Sequence, residues 1–341
     1  MTNFYRGSYA LEISHIMENE KMIDKGIKDA DVTVKEMPAF ANLTLDRGFK
    51  IVLGTEGKSE RLLMTLLNRI LEMKIIDLKY LPTERLGLTE EEGNSFFDVY
   101  CKDRSGRRFL IEMQMWTQNY YHKRAVYYSS LSVQDQARVE KKYQKEELGR
   151  KSWNYYFAPV YVVSFLNFPN TIVEAKEDGS NPYISHFVYK SKDTGHELGD
   201  ETNIIFIDLE KFRKDFTECN SLCEKWLYSI RNMHRLTEKP AGVDGTELEE
   251  LYDEAYFAAW PAEKRSIYER SIMNQNDYLN ILEERYEDGM AIGIEKGIEK
   301  GIEKGSRERA VATAINLKAL GVEPEIIAKG TGLCIEEIEN L

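Results

Sequence analysis

Residues 96–116 read FFDVYCKDRSGRRFLIEMQMW, and they constrain the fold more than any other stretch. On both sides of Arg104-Ser105-Gly106 apolar and polar residues alternate, which is the period of a β-strand. A three-residue loop with glycine at its third position, where the backbone turns left-handed, closes such a pair into a hairpin. Asp103 then pairs with Arg107, and counting outward sets Asp98 opposite Glu112. Tyr100 and Leu110 are their neighbours on that face, and Gln114 lies two residues beyond Glu112 and points the same way.

Opposed residues of an antiparallel pair have Cβ atoms about 4.5–5.5 Å apart, and like charges at that distance destabilise a sheet. A divalent ion resolves the conflict. Mg²⁺ takes hard oxygen ligands, commonly one or two carboxylates, and completes its octahedron with water and substrate phosphate. The spacing therefore predicts a half-built metal site. An amphipathic hairpin whose solvent face carries Asp, Tyr, Leu, Glu and Gln accounts for the same residues, and the spacing alone does not separate the two.

Around the hairpin, "ANLTLDRGFKIVLGTEGKSERLLMTLLNRIL" reads as a short extended piece, a turn at Gly54 to Gly57 and a helix. That helix has Leu62, Leu63, Leu66, Leu67, Ile70 and Leu71 on one face and Ser59 at its N-cap. "KIIDLKYLP" (74–82) reads as a strand. After the hairpin, residues 117–139 have helical spacing, and "PVYVVSFLNF" (159–168) is a buried-strand run. "ISHFVYKSK" and "TNIIFIDL" add two strands, and "NSLCEKWLYSIRNM" is a helix. From residue 246 the chain becomes acidic and helical, and Gly289, Gly293, Gly297, Gly301 and Gly305 recur every fourth residue in tandem IEKG units. Glycine at that density weakens a helix by about 1 kcal/mol per residue, so a poorly ordered linker is expected, with helix self-association as the alternative. The end carries two or three short helices, and Glu336, Glu337 and Glu339 on the last one suit protein contact better than DNA reading. The expected division is an arm at 1–40, a catalytic domain at 41–240, an acidic helical segment at 246–310 and a helical module at 311–341.

The formal charge of −12 argues against a general polyanion binder, yet it is uneven. Residues 246–341 hold 21 acidic and 11 basic side chains, whereas 121–151 hold eight basic and four acidic ones. A nucleic-acid surface must lie in that second stretch. The four cysteines form no C-x-x-C pair, so free thiols in a reducing, cytoplasmic compartment are expected rather than a zinc site. The opening residues lack the apolar core of a signal peptide, and "FAPVYVVSFLNF" is too short to span a bilayer.

Asp98 followed by "IEMQ", with Glu112 and Gln114, resembles the PD-(D/E)XK nucleases. The resemblance narrows to the PD-(D/E)XK nuclease family transposases, also called recombination-promoting nucleases. "LDRGFKIVLG", "LLMTLLNRIL", "DVYCKDRSGRRFLIEMQ", "YHKRAVYYSSLSVQDQ", "IIFIDLEKF" and the glycine-repeat tail are similar to that family in order and spacing.

The resemblance implies an α/β fold: a restriction-endonuclease-like core of a mixed sheet flanked by helices, with an α-helical tail. It implies a Mg²⁺-dependent (or Mn²⁺-dependent) DNA endonuclease of low sequence specificity, associated with mobile elements. Asp98, Glu112 and the backbone carbonyl of Met113 would hold the metal, with Glu60 as a further acidic candidate. Gln114 stands where the motif has lysine; it can orient water or a phosphate oxygen but brings no charge. In the helix after the hairpin, Arg124 is a candidate phosphate contact. Tyr128 shares its face and serves the sugar, the positioning of the metal ligands or core packing. Lys141 and Lys142, with Lys145, Arg150 and Lys151, are backbone-phosphate candidates or a solvated helix end. Double-stranded DNA is the expected partner, with self-association through the C-terminal helices. A catalytically inactive interaction module and a glycosidase are the rival readings of the acid pair.

Overall fold

A computed structural model describes residues 39–82, 84–86, 94–116, 120–168, 170 and 182–341. The arm expected at 1–40 lies almost wholly outside the described residues. The chain divides into two compact units whose boundary falls between Ser271 and Ile272.

The first unit opens with helices α1 (Asp46–Leu53) and α2 (Glu60–Leu71). The α1 segment, expected to be extended, is helical because Phe49, Val52 and Leu53 are buried at helical spacing and Asp46 and Lys50 form an i,i+4 pair at 3.0 Å. In α2 the expected face is buried, with Leu62, Leu63, Leu66, Leu67 and Ile70 inside. Ser59 precedes α2 without capping it; its hydroxyl accepts the N–H of Thr55 instead.

Strands follow: β1 (Lys79–Tyr80), β2 (Glu84–Leu86), β3 (Asn94–Phe96), β4 (Val99–Lys102) and β5 (Arg108–Gln114). β1 is shorter than the expected 74–82 strand. Asn68 takes both backbone groups of Ile75, accepting its N–H at 2.6 Å and donating to its carbonyl at 2.9 Å, so that stretch cannot join a ladder. After helix α3 (Tyr121–Glu146) come β6 (Val160–Leu166), β7 (Ile184–Phe187) and β8 (Thr202–Asp208). Helices α4 (Leu222–Asn232) and α5 (Glu249–Ala255) complete this part.

The main sheet has six strands in the order β1-β4-β5-β6-β8-β7. It is mixed: β5-β6 and β6-β8 are parallel, and the other pairs are antiparallel. β2 and β3 form a separate two-stranded pair. One face is covered by α3, whose Tyr121 and Ala125 pack on Tyr100, Leu110, Val162 and Phe206. On the other face Phe49 of α1 meets Phe165 of β6 at 5.5 Å between rings. Behind it Trp226 of α4 is fully buried, and its indole N–H donates to Glu247, which also receives Arg69 of α2.

Helix α6 spans Ala262–Ala319. The IEKG segment is thus helical rather than a loose linker: it contains no proline, and it continues a helix already begun on both sides, which spares it the cost of nucleation. In the second unit the end of α6 packs with α7 (Pro324–Thr331) and α8 (Ile335–Glu339) around Ala314, Ile327, Leu333 and Ile338. Among the described residues no helix is long and apolar enough to cross a membrane.

Candidate active site

The hairpin forms in the register that the loop demands. Val99 pairs with Ile111, Tyr100 with Leu110 and Lys102 with Arg108. Gly106 sits at φ +87°, and its N–H donates to the carbonyl of Asp103, whose own N–H donates to Arg107. Extending the ladder by one residue places Asp98 against Glu112. β4 begins only at Val99, however, so Asp98 occupies a bend at the open end of the hairpin. There its Oδ2 accepts the backbone N–H of Met113 at 2.7 Å.

Glu112 is not on a solvent face. It is 3 % exposed, and its neighbours Tyr100 and Leu110 are buried under α3. This removes the amphipathic-hairpin account of the acid pair. Ser164 of β6 lies beside Glu112 in the parallel ladder and is also buried.

Each acid has a cation. The ammonium of Lys50 lies 3.1 Å from Oδ1 of Asp98, and Arg124 Nη2 lies 3.4 Å from Oε2 of Glu112. Gln114 donates its amide to that same Oε2 at 3.2 Å, while Oε1 of Glu112 is buried without a hydrogen-bond partner. The guanidinium of Arg124 is sandwiched near the rings of Tyr121 (5.0 Å) and Tyr128 (5.6 Å). Tyr128 also packs edge-on against Phe97, so it serves the core and aims Arg124 at once.

Burial shapes the charges. It pushes the Glu112 carboxyl up to about 7 despite Arg124, Lys50 and Gln114, which pull the other way. Asp98 is pushed up to about 8, first by burial and then by a hydrogen bond and repulsion from Asp46. Burial alone would lower the Lys50 ammonium, but Asp98 and Asp46 outweigh it and hold it above its ordinary value. Two buried acids whose charged forms are penalised, one with an unpartnered oxygen, make a donor set that a hard divalent cation would satisfy. Asp98, Glu112 and the adjoining Met113 carbonyl fit such an ion.

The remaining candidates sit elsewhere. Glu60 accepts the N–H of Gly57 at the head of α2, and among the described residues no three His, Cys, Asp or Glu side chains gather to hold a metal. It is therefore not brought to the pair. Lys141 and Lys142 are exposed near the far end of α3, about 26 Å along the helix from Arg124 at 1.5 Å per residue. The sequence reading missed Asp46 and Lys50. Their spacing of four on an apolar-faced segment was the available signal.

A mixed sheet with an acid-bearing hairpin, a parallel strand beside it and a helix delivering arginine across one face is the class of fold that PD-(D/E)XK nucleases share. Comparison with family models agrees: the model described as PD-(D/E)XK nuclease family transposase matches residues 43–285, and the chain belongs to this family. No curated protein and no solved structure matches the chain.

Proposed function

We propose that the chain is a divalent-metal-dependent DNA endonuclease with little sequence specificity, acting in the cytoplasm in events of the mobile-element kind. The observation that carries this reading is the buried acid pair at the open end of the hairpin, with the unpartnered Oε1 of Glu112 and two cations in reach. Asp98, Glu112 and the Met113 carbonyl would hold one Mg²⁺ or Mn²⁺. Such an ion, when bound, supplies a Lewis acid for the phosphate and a water of lowered pKa.

The chain's own residues do the rest. Asp98 is held from both sides, its Oδ2 by the Met113 N–H and its Oδ1 by the Lys50 ammonium, so the carboxylate keeps one direction. Gln114 steadies Oε2 of Glu112 and can orient water or a phosphate oxygen. It carries no charge. Lys50 supplies a positive charge beside Asp98, and Arg124 supplies another beside Glu112, which supports a role for both against a phosphate oxygen. Metal-assisted hydrolysis is the reaction; strand transfer is not part of the proposal.

Self-association is the second element. Ile294, Ile298 and Ile302 form an exposed row on α6, next to the Gly293, Gly297 and Gly301 row, and none of the described residues stands where a Cβ on those glycines would point. At 100° per residue, Glu295, Glu299 and Glu303 flank this face on one side, and Lys296, Lys300 and Lys304 on the other. A parallel second copy sets Glu against Lys along both flanks, whereas an antiparallel one opposes like charges.

Nicking of supercoiled plasmid in Mg²⁺ tests the activity. Wild type should nick, and Asp98→Ala and Glu112→Gln should not. Equal nicking by all three contradicts the proposal.

A further inference from the structure

At the far end of α3 exposed aromatic rings and basic side chains interleave, in a patch that the hairpin site does not use. It starts in the last turns of α3 and continues through the loop to Pro159. Between residues 141 and 156 there are five basic side chains (Lys141, Lys142, Lys145, Arg150, Lys151) and two acidic ones, in a chain whose net charge is −12. Tyr155 is 76 % exposed, Tyr156 58 % and Tyr143 49 %.

The loop that presents them is built. Buried Gln144 donates to Oδ1 of Asn154 at 2.9 Å, and that oxygen also accepts the N–H of Tyr156 at 3.1 Å. The Arg150 N–H donates to the carbonyl of Gln144, and the Trp153 indole donates to the carbonyl of Tyr156. Tyr155 is held at φ +60°, a conformation costly for a bulky residue, and there its ring rests 4.6 Å from that of Trp153 at an interplanar angle of 33°. Lys141 lies 5.9 Å from the centre of the Trp153 ring. The outcome is a supported ring pair with Tyr155 exposed and Lys141 beside Trp153.

We infer that this Trp153–Tyr155 platform binds a single-stranded segment of DNA, stacking an unpaired base on Tyr155 while Lys141, Lys142, Lys145, Arg150 and Lys151 follow the phosphates. Unpaired strands are recognised by this combination, because every base offers a π-face and a duplex hides it. Charge alone would serve duplex and single strand alike; the rings are what discriminate. The inference rests on the nuclease reading and narrows its substrate. The platform lies about 26 Å along α3 from Arg124, roughly seven or eight base steps of duplex. The preferred substrate then joins duplex at the carboxylates to an unpaired strand on the platform.

Fluorescence anisotropy with a labelled 15-nucleotide dT strand tests this in EDTA, where nothing can be cut. Tyr155→Ala should weaken dT binding about ten-fold or more and leave binding of a 15-base-pair duplex unchanged, and Tyr155→Phe should bind as wild type. A chain of abasic sites of the same length should bind weakly to every form. Double replacement of Lys141 and Lys142 by Ala should weaken both ligands and flatten their salt dependence. Equal dT binding by wild type and Tyr155→Ala, or equal binding of dT and the abasic chain, overturns the inference. Loss of nicking in Asp98→Ala together with dT binding unaffected in Tyr155→Ala would sink the platform alone. Tyr155-dependent dT binding by a chain that never nicks would sink the nuclease reading alone.

Discussion

The ammonium of Lys50 lies 3.1 Å from Oδ1 of Asp98, beside a hairpin in which Gln114 stands where the resemblance expects lysine. The positive charge missing from the hairpin arrives from α1, held by Asp46 one turn earlier. If this charge acts on the phosphate, Lys50→Met should lower nicking about 10²–10³-fold without unfolding the chain, and Lys50→Arg should recover part of it. Plasmid nicking and circular dichroism, read side by side, check both halves.

Gly106 closes the hairpin at φ +87°. A Cβ there would meet only the Ala158 methyl at 3.5 Å, an ordinary contact, so the penalty of Gly106→Ala is conformational. Urea unfolding should show a loss of about 1–2 kcal/mol.

His234 sets a pH dependence. Its Nδ1 is buried without a hydrogen-bond partner, its Nε2 accepts from Arg235, and burial followed by Arg235 lowers it to about 4. The folded chain therefore holds a neutral imidazole, while the unfolded chain binds a proton near pH 6.5. The contribution is complete above about pH 6.5 and is lost as the pH falls toward 4, by about 1–3 kcal/mol. Urea midpoints at pH 7 and 4.5 should fall further for wild type than for His234→Gln.

The glycine row of α6 predicts an assembly. Light scattering should give a dimer mass for the wild type. Joint replacement of Gly293, Gly297 and Gly301 by Ala should strengthen the helix by about 1 kcal/mol per site and, by parting the two copies, return a monomer. A monomeric wild type contradicts the paired helix.

The hairpin was legible because its signals are local: a period of two and a glycine where the backbone must turn left-handed. The parallel strands β6 and β8 were legible as apolar runs because both faces of the sheet are covered. What stayed hidden depends on tertiary contacts. α1 was read as a short extended piece, and only burial of Phe49, Val52 and Leu53 settles it as a helix. The strand expected at 74–82 was cut short by the single side chain of Asn68, which no pattern in that stretch betrays. The acid pair and Arg124 were legible, but Lys50 was not, since it is 48 residues from Asp98 in sequence and reaches it only once α1 packs on the sheet.

Calorimetric titration of Mn²⁺ into the apo chain tests the central claim most directly, which is that two acids brought together by one hairpin share one divalent ion. The account predicts one ion per chain for wild type, and its loss in both Asp98→Ala and Glu112→Gln while the far-ultraviolet spectrum stays native. Undiminished Mn²⁺ binding by either variant, or none by the wild type, would contradict it.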